Sequence, residues 1–426
     1  MAHAGQTRPT GIGPHTTTRR EGSVTHDTEV PDPRSETPED GWAQPARAPL
    51  SVLDLAPFPS GSTPADGIRN TIDLAKHAER FGYARYWLAE HHANPGVSGS
   101  APHVLAALVA AATDGIRVGT AATLLGNYSP IQVAEAAGVL GAYSGGRFDL
   151  GVGRAASVPR PPSNAVPPAS TADAADRVVD GLVIPAPRVP RLDSERFAAI
   201  ARLLSRDEGR DFAETVDAIL GFLRGDYVDR DGVPVLATPA HDHGGVQVWV
   251  HGSTAGPSAR LAGERGLRFG ANYHVAPSFV LEAIEEYRSA FRPSEQLAQP
   301  HVIVSVDVVV ADSDEKARRL AAGYAPWVLS IRSGRGAIPF PTPEQADAIA
   351  WSDEDRDAVR DRLDTQFVGS PATVAERLET LQRVTGAQEL LVTTITHDHA
   401  NRVNSYRLLA EAWGITACGT TDRRAS

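Results

Sequence analysis

From residue 50 onward, short apolar runs alternate with longer stretches whose apolar residues recur every three to four positions. Runs at 51–55, 85–89, 116–121, 147–151, 246–251, 267–271, 302–310 and 389–394 are each short enough for a buried strand. Helical patterning follows near 64–80, 101–113, 130–143, 211–224, 257–265, 277–291, 312–331, 371–384 and 400–412. The first helix is the clearest. Thr63 and Pro64 supply a cap and a first-turn proline, Ile68, Ile72, Ala75 and Ala78 share one face, and Gly82 ends it. Eight strands, mostly one per helix, predict an α/β fold with a parallel sheet closed into a (β/α)8 TIM barrel with insertions.

The rhythm breaks twice inside the barrel. Residues 155–210 are rich in Pro, Ala, Arg and Asp, beginning with Pro159, Pro161 and Pro162, and residues 332–368 separate the seventh unit from the last. Long insertions after barrel strands commonly build lids or binding walls at the catalytic rim. Residues 1–48 carry Pro, Thr, Gly, Arg, Asp and Glu with Trp42 as their one aromatic. Such a segment cannot bury enough surface to offset its ordering entropy, so a disordered tail is expected there, and a flexible one over 417–426. The barrel itself is expected to span 49–416.

Composition narrows the function. The 426 residues are 42% hydrophobic and 22% charged, ordinary for a globular protein. No apolar run approaches the roughly 20 residues of a membrane span. Met1 to Arg20 has no apolar core before a cleavage site, so no secretory signal is expected. The one cysteine, Cys418, can form no internal disulfide, which fits a reducing cytoplasm. A net charge of −11 argues against nucleic acid as a partner. An anionic ligand must then be held by a local device, such as one arginine with backbone amides.

Candidate chemistry lies at strand ends, which a parallel barrel delivers to one shared rim. His91 and His92 follow Glu90 at the end of the second strand. An imidazole can donate or accept a proton near neutral pH, and the two neighbours should face different ways. Arg154 follows Gly151 and Gly153 past the fourth strand; its planar guanidinium suits two phosphate oxygens and the glycines admit close approach. The dinucleotide fingerprint fails, because Ala156 and prolines follow where a glycine and a helix should be. Ser253, Thr254 and Ser258 flank a helix start after the fifth strand, where amides and hydroxyls can hold an anion or simply cap the helix. Asp54 and Asn127 sit at strand ends and either line the pocket or serve the fold. A competing reading gathers His241, His243, His397, Asp398 and His399, with the pair His91 and His92, around a metal. His241 and His243 precede their strand and should lie at the opposite end from His91, so no metal is expected.

In this order, Tyr86–His92, Arg117–Ala122, Gly146–Arg154, Gly252–Thr254, Phe367–Pro371 and Asp398–His399, with Leu50–Leu55 before them, resemble the bacterial luciferase-like flavin monooxygenases. The resemblance is closest to luciferase-family oxidoreductases of secondary metabolism and covers about residues 50–412. It implies a barrel that binds reduced FMN, supplied by a separate reductase, and activates oxygen toward a small organic substrate. It implies His91 as the acid/base group and a non-proline cis peptide between Ala121 and Ala122 that props the flavin ring. It also implies a phosphate held by Arg154, Ser253, Thr254 and Ser258, and a homodimer through outer barrel helices. Gly153 stands where luciferase has a cysteine, so light emission is not inferred. The family's deazaflavin branch, which moves hydride without oxygen, is the nearest alternative; a flavin-binding relative without catalysis is another.

Overall fold

The computed structural model describes residues 46–154, 175–188, 194–204, 211–242 and 245–415. Most of the expected N-terminal tail, all of the C-terminal one, His243 and part of the 155–210 insertion lie outside them.

Eight strands form where the apolar runs lie: β1 (Leu50–Asp54), β2 (Arg85–Leu88), β3 (Arg117–Thr120), β4 (Phe148–Gly153), β5 (Gln247–Gly252), β6 (Arg268–Asn272), β7 (Val302–Val310) and β8 (Glu389–Thr393). Each pairs in parallel with the next, and β8 pairs with β1, so the sheet closes on itself. The period-two alternation of strand side chains then splits the core in two. Val52, Tyr86, Val118, Leu150, Val250, Val304 and Val392 face the surrounding helices. Leu53, Trp87, Trp249, Ile303 and Leu391 fill the barrel interior.

The N-terminal end of the barrel is closed by charge rather than by apolar packing. Arg85 donates to Asp149 at 2.7 Å, to Gln247 at 2.9 Å and to Glu389 at 3.0 Å, while Arg117 Nε donates to Asp149 at 2.8 Å. Burial alone would raise the Glu389 carboxyl, but Arg85, the nearby His301 and the hydrogen bond from Ser51 outweigh it and hold it down to about 2. Arg85 also lies over the Trp249 ring, 4.9 Å from its centroid. With this end sealed, the opposite rim is where a ligand enters.

The first helix (Pro64–Phe81) starts and stops as expected. Thr63 and Asp66 form a capping box, and Gly82 takes the left-handed conformation at φ 88°. The helix expected over 312–331 is instead two, Asp314–Ala321 and Tyr324–Arg332. Restarting the helix puts Pro326 in a first turn, where its missing N–H costs nothing. The fourth strand also runs beyond residue 151, to Gly153.

Both insertions build onto the ligand end. Arg177–Val179 and Leu182–Ile184 form a hairpin whose Leu182 and Ile184 are buried, and Tyr273 Oη donates to the Val183 carbonyl at 2.7 Å. Arg196, on the helix Ser194–Leu204, donates to the carbonyls of Gly334 and Ala93, bridging the loops after β7 and β2. The segment 333–342, past the two helices that follow β7, is laced to its neighbours by Gly96 N to Ala337 O at 2.7 Å and Phe340 N to Phe58 O at 3.0 Å. Gly96 is required there, since a Cβ would fall 2.0 Å from the Ile338 carbonyl carbon. No described helix is long and apolar enough to cross a membrane.

Candidate active site

Just past β2 the chain turns through Glu90, His91 and His92. Glu90 is buried and accepts from Leu124 N at 2.9 Å, from Asn127 Nδ2 at 2.8 Å and from His92 Nε2 at 2.7 Å. This carboxylate ties the loop after β2 to the loop after β3 and fixes the His92 ring. His91 is held differently. Its backbone N donates to the Gly99 carbonyl at 2.8 Å, and its Nδ1 is buried with no partner. Burial, and then the neighbouring His92, push the His91 imidazole down to about 4. The two histidines thus face different surroundings, as expected, and His91 stays neutral through the physiological range.

Ala121 and Ala122 follow β3 and are joined by a cis peptide bond. Gly153 closes β4 beside them, where an added Cβ would come within 3.2 Å of the Ala122 methyl. The three small residues form a low shelf on one side of the mouth. Arg154 is the next residue, exposed and without a hydrogen bond or ion pair to the described residues. After β5, Ser253 Oγ accepts from Asn272 Nδ2 at 2.8 Å, Thr254 is exposed, and Ser258 is buried in the first turn of the helix Pro257–Glu264. The alternative that these hydroxyls cap the helix is not what the structure has. The cap residue is Gly256, at φ 150°, with no side-chain capping bond. The first-turn amides are therefore left open, and with an unpaired guanidinium one strand away this donor set fits a phosphate monoester.

Two strand-end residues serve the fold instead of the pocket. Asp54 is buried against Arg402 at 2.7 Å and also accepts from Tyr86 Oη and Ala56 N, while Asn127 is spent on Glu90. The histidines of the metal reading go separate ways. His241 lies in a short turn packed beside the helices Pro130–Tyr143 and Phe212–Arg224, and His397 Nε2 is 3.1 Å from the Ser60 carbonyl. Asp398 caps the last helix through Asn401 N, and His399 pairs with Asp73 at 2.9 Å. Among the described residues no three metal-ligating side chains converge.

Sequence reasoning passed over two histidines at this end. His274 follows β6, with Nδ1 2.6 Å from Ser305 Oγ; burial holds it well below the usual imidazole range, and Arg362, His91 and His251 add to the effect. His251 points inward from β5, and burial pushes it down to about 4. A polar residue at an inward position of an otherwise apolar strand was the available signal for His251.

The family model for the luciferase-like monooxygenases matches residues 49–177 and 199–388. A luciferase-like monooxygenase of Escherichia coli is 33% identical over 363 residues, covering 84% of this chain and 95% of its own. The crystal structure of apo-MsnO8 superposes with a TM-score of 0.69 at 32% identity, over 87% of this chain and 98% of its own. The oxygenating constituent of 3,6-diketocamphane monooxygenase from Pseudomonas putida, solved in complex with FMN, shares the fold at a TM-score of 0.57 and 19% identity, over 86% and 98% of the two chains. A closed parallel barrel and a family match over most of its length put the chain among the luciferase-like monooxygenases, a family of flavin-dependent enzymes.

Proposed function

We propose that the protein oxygenates a small organic molecule with reduced FMN bound across the barrel mouth. The observation that carries this reading is the donor set after β4 and β5: Arg154, which has no partner among the described residues, and the uncapped start of Pro257–Glu264. These groups suit the FMN phosphate, with Ser253, Thr254 and Ser258 adding hydroxyls. The small side chains of Ala121, Ala122 and Gly153 would let a flat ring lie close beside it. When bound, reduced FMN supplies the two electrons that monooxygenation by molecular oxygen requires. The protein's own part is to bind, orient and shield. His91, neutral and with one ring nitrogen unpartnered, takes or returns a proton at the substrate. His92 is a positioning residue, locked by Glu90 into the wall beside it. Substrate enters past the loops after β1, β2 and β7 and the helix Ser194–Leu204.

A separate reductase supplies the reduced flavin in this reading, which also assigns a cytoplasmic setting. A homodimer is supported by the adjacent helices Pro102–Ala112 and Pro130–Tyr143, which leave Val104, Leu108, Val139 and Tyr143 exposed at 61%, 43%, 56% and 64%. The test is titration of the purified protein with FMN, reduced FMN and a deazaflavin, followed by oxygen uptake with reduced FMN. Preferential binding of reduced FMN, weakened about tenfold or more in Arg154→Ala, is expected. Tight deazaflavin binding without flavin binding would replace this reading with hydride transfer.

A further inference from the structure

The inward face of β5 carries a group that the reading above leaves unused. The half-buried His251 ring makes no hydrogen bond to the described residues, and its Nε2 is shut off from solvent. Two other strands give up their side chains to make room for it. A Cβ on Gly270 of β6 would fall 2.3 Å from Nδ1, and one on Gly151 of β4 would fall 2.8 Å from Nε2. The ring stands edge-on to Trp87, with centroids 5.5 Å apart.

A neutral imidazole must carry its proton on one nitrogen or the other. A buried N–H without an acceptor is rarer in folded proteins than an unmatched lone pair. The closed-off Nε2 therefore keeps the lone pair, and the proton sits on Nδ1, the nitrogen that is not enclosed. No acceptor among the described residues meets it, and a bound ligand is the partner that position can take. Gly151 marks the closed side of the ring. The Cβ position 2.8 Å from His251 Nε2 is 2.0 Å from the carbonyl oxygen of Thr120, the residue before Ala121. A flat ring propped on Ala121 and Ala122 and tethered beyond β4 and β5 would instead lie across the mouth end of β5, above the imidazole, where the open Nδ1 can reach it.

We propose that His251 is a contact for the flavin ring, donating from Nδ1 to a carbonyl of the isoalloxazine. This rests on the FMN reading, and a carbonyl on the substrate is the competing source of the same acceptor. The experiment is an infrared difference spectrum of bound oxidised FMN, with its affinity from fluorescence quenching, for the wild type, His251→Phe, His251→Gln and Gly270→Ala. His251→Phe is expected to move one flavin carbonyl stretch to higher frequency and to weaken FMN about tenfold. His251→Gln, which keeps a donor, retains most of the wild-type signal. Gly270→Ala, which drives the imidazole from its place without deleting it, reproduces His251→Phe; circular dichroism confirms that each variant is folded. Unchanged carbonyl frequencies and affinity in folded His251→Phe would overturn the contact, leave the FMN reading intact and assign Nδ1 to the substrate. Failure of the wild type itself to bind FMN would overturn both.

Discussion

At the scale of single residues, the mouth of this barrel is built from imidazoles kept uncharged by burial. His91 and His251 are each held to about 4, where an exposed histidine titrates near 6.5. The consequence for stability has a definite sign. As pH falls below about 6.5 the unfolded chain binds these protons and the folded chain does not, so stability declines until the folded groups titrate near 4. The slope is at most about 1.4 kcal/mol per pH unit for each imidazole, less whatever solvent the half-buried rings retain. Histidine NMR should give midpoints near 4, and denaturant unfolding should weaken from neutral to mildly acidic pH, less steeply in a His91→Asn, His251→Gln double variant. Midpoints near the ordinary histidine value would refute this account. The residues legible in advance were those whose chemistry stands out locally, such as His91 and Arg154. His251 was not, because one of the glycines that make room for it comes from a strand a hundred residues before it and the other from the strand after it.

At the scale of elements, the site depends on loops being tied together rather than on strands alone. Glu90 holds three donors from the loops after β2 and β3, and removing it leaves the Leu124 amide and the Asn127 side chain without their acceptor. Glu90→Ala is expected to cost about 3 kcal/mol in a denaturation midpoint, whereas Asn127→Ala, which removes only one donor, costs about 1 kcal/mol. Equal losses in the two variants would show that Glu90 is no hub. Strand and helix positions were readable because buried runs and helical periodicity are local properties. The start of Pro257–Glu264 was readable too, but its capping was not: Ser253 and Thr254 suggest a cap, whereas both fall short of the cap residue, Gly256, which has no side-chain capping bond. The break between Asp314–Ala321 and Tyr324–Arg332 could have been read from Pro326, whose ring belongs in a first turn.

At the scale of the whole molecule, the charged layer around Arg85, Asp149 and Glu389 seals one end of the barrel, and the laced loops leave the other end for ligand. The apolar side chains exposed on Pro102–Ala112 and Pro130–Tyr143 belong to outer helices of the barrel, so the dimer proposed there would form through its flank. A Val139→Lys, Tyr143→Glu variant should run as a monomer by light scattering while keeping its circular dichroism spectrum. A wild-type protein that is already monomeric would rule the dimer out.

The sequence by itself determined the parallel barrel, the positions of its strands and the rim that collects His91, Ala121, Ala122 and Arg154, because burial in successive β-α units writes a local pattern that nothing downstream reverses. Only the tertiary structure decided that Asp54 belongs to Arg402, that Glu90 braces His92, and that His251 fits between Gly151 and Gly270. Those outcomes depend on which side chains the closed sheet brings face to face, and contacts between distant strands leave no periodic trace along the chain.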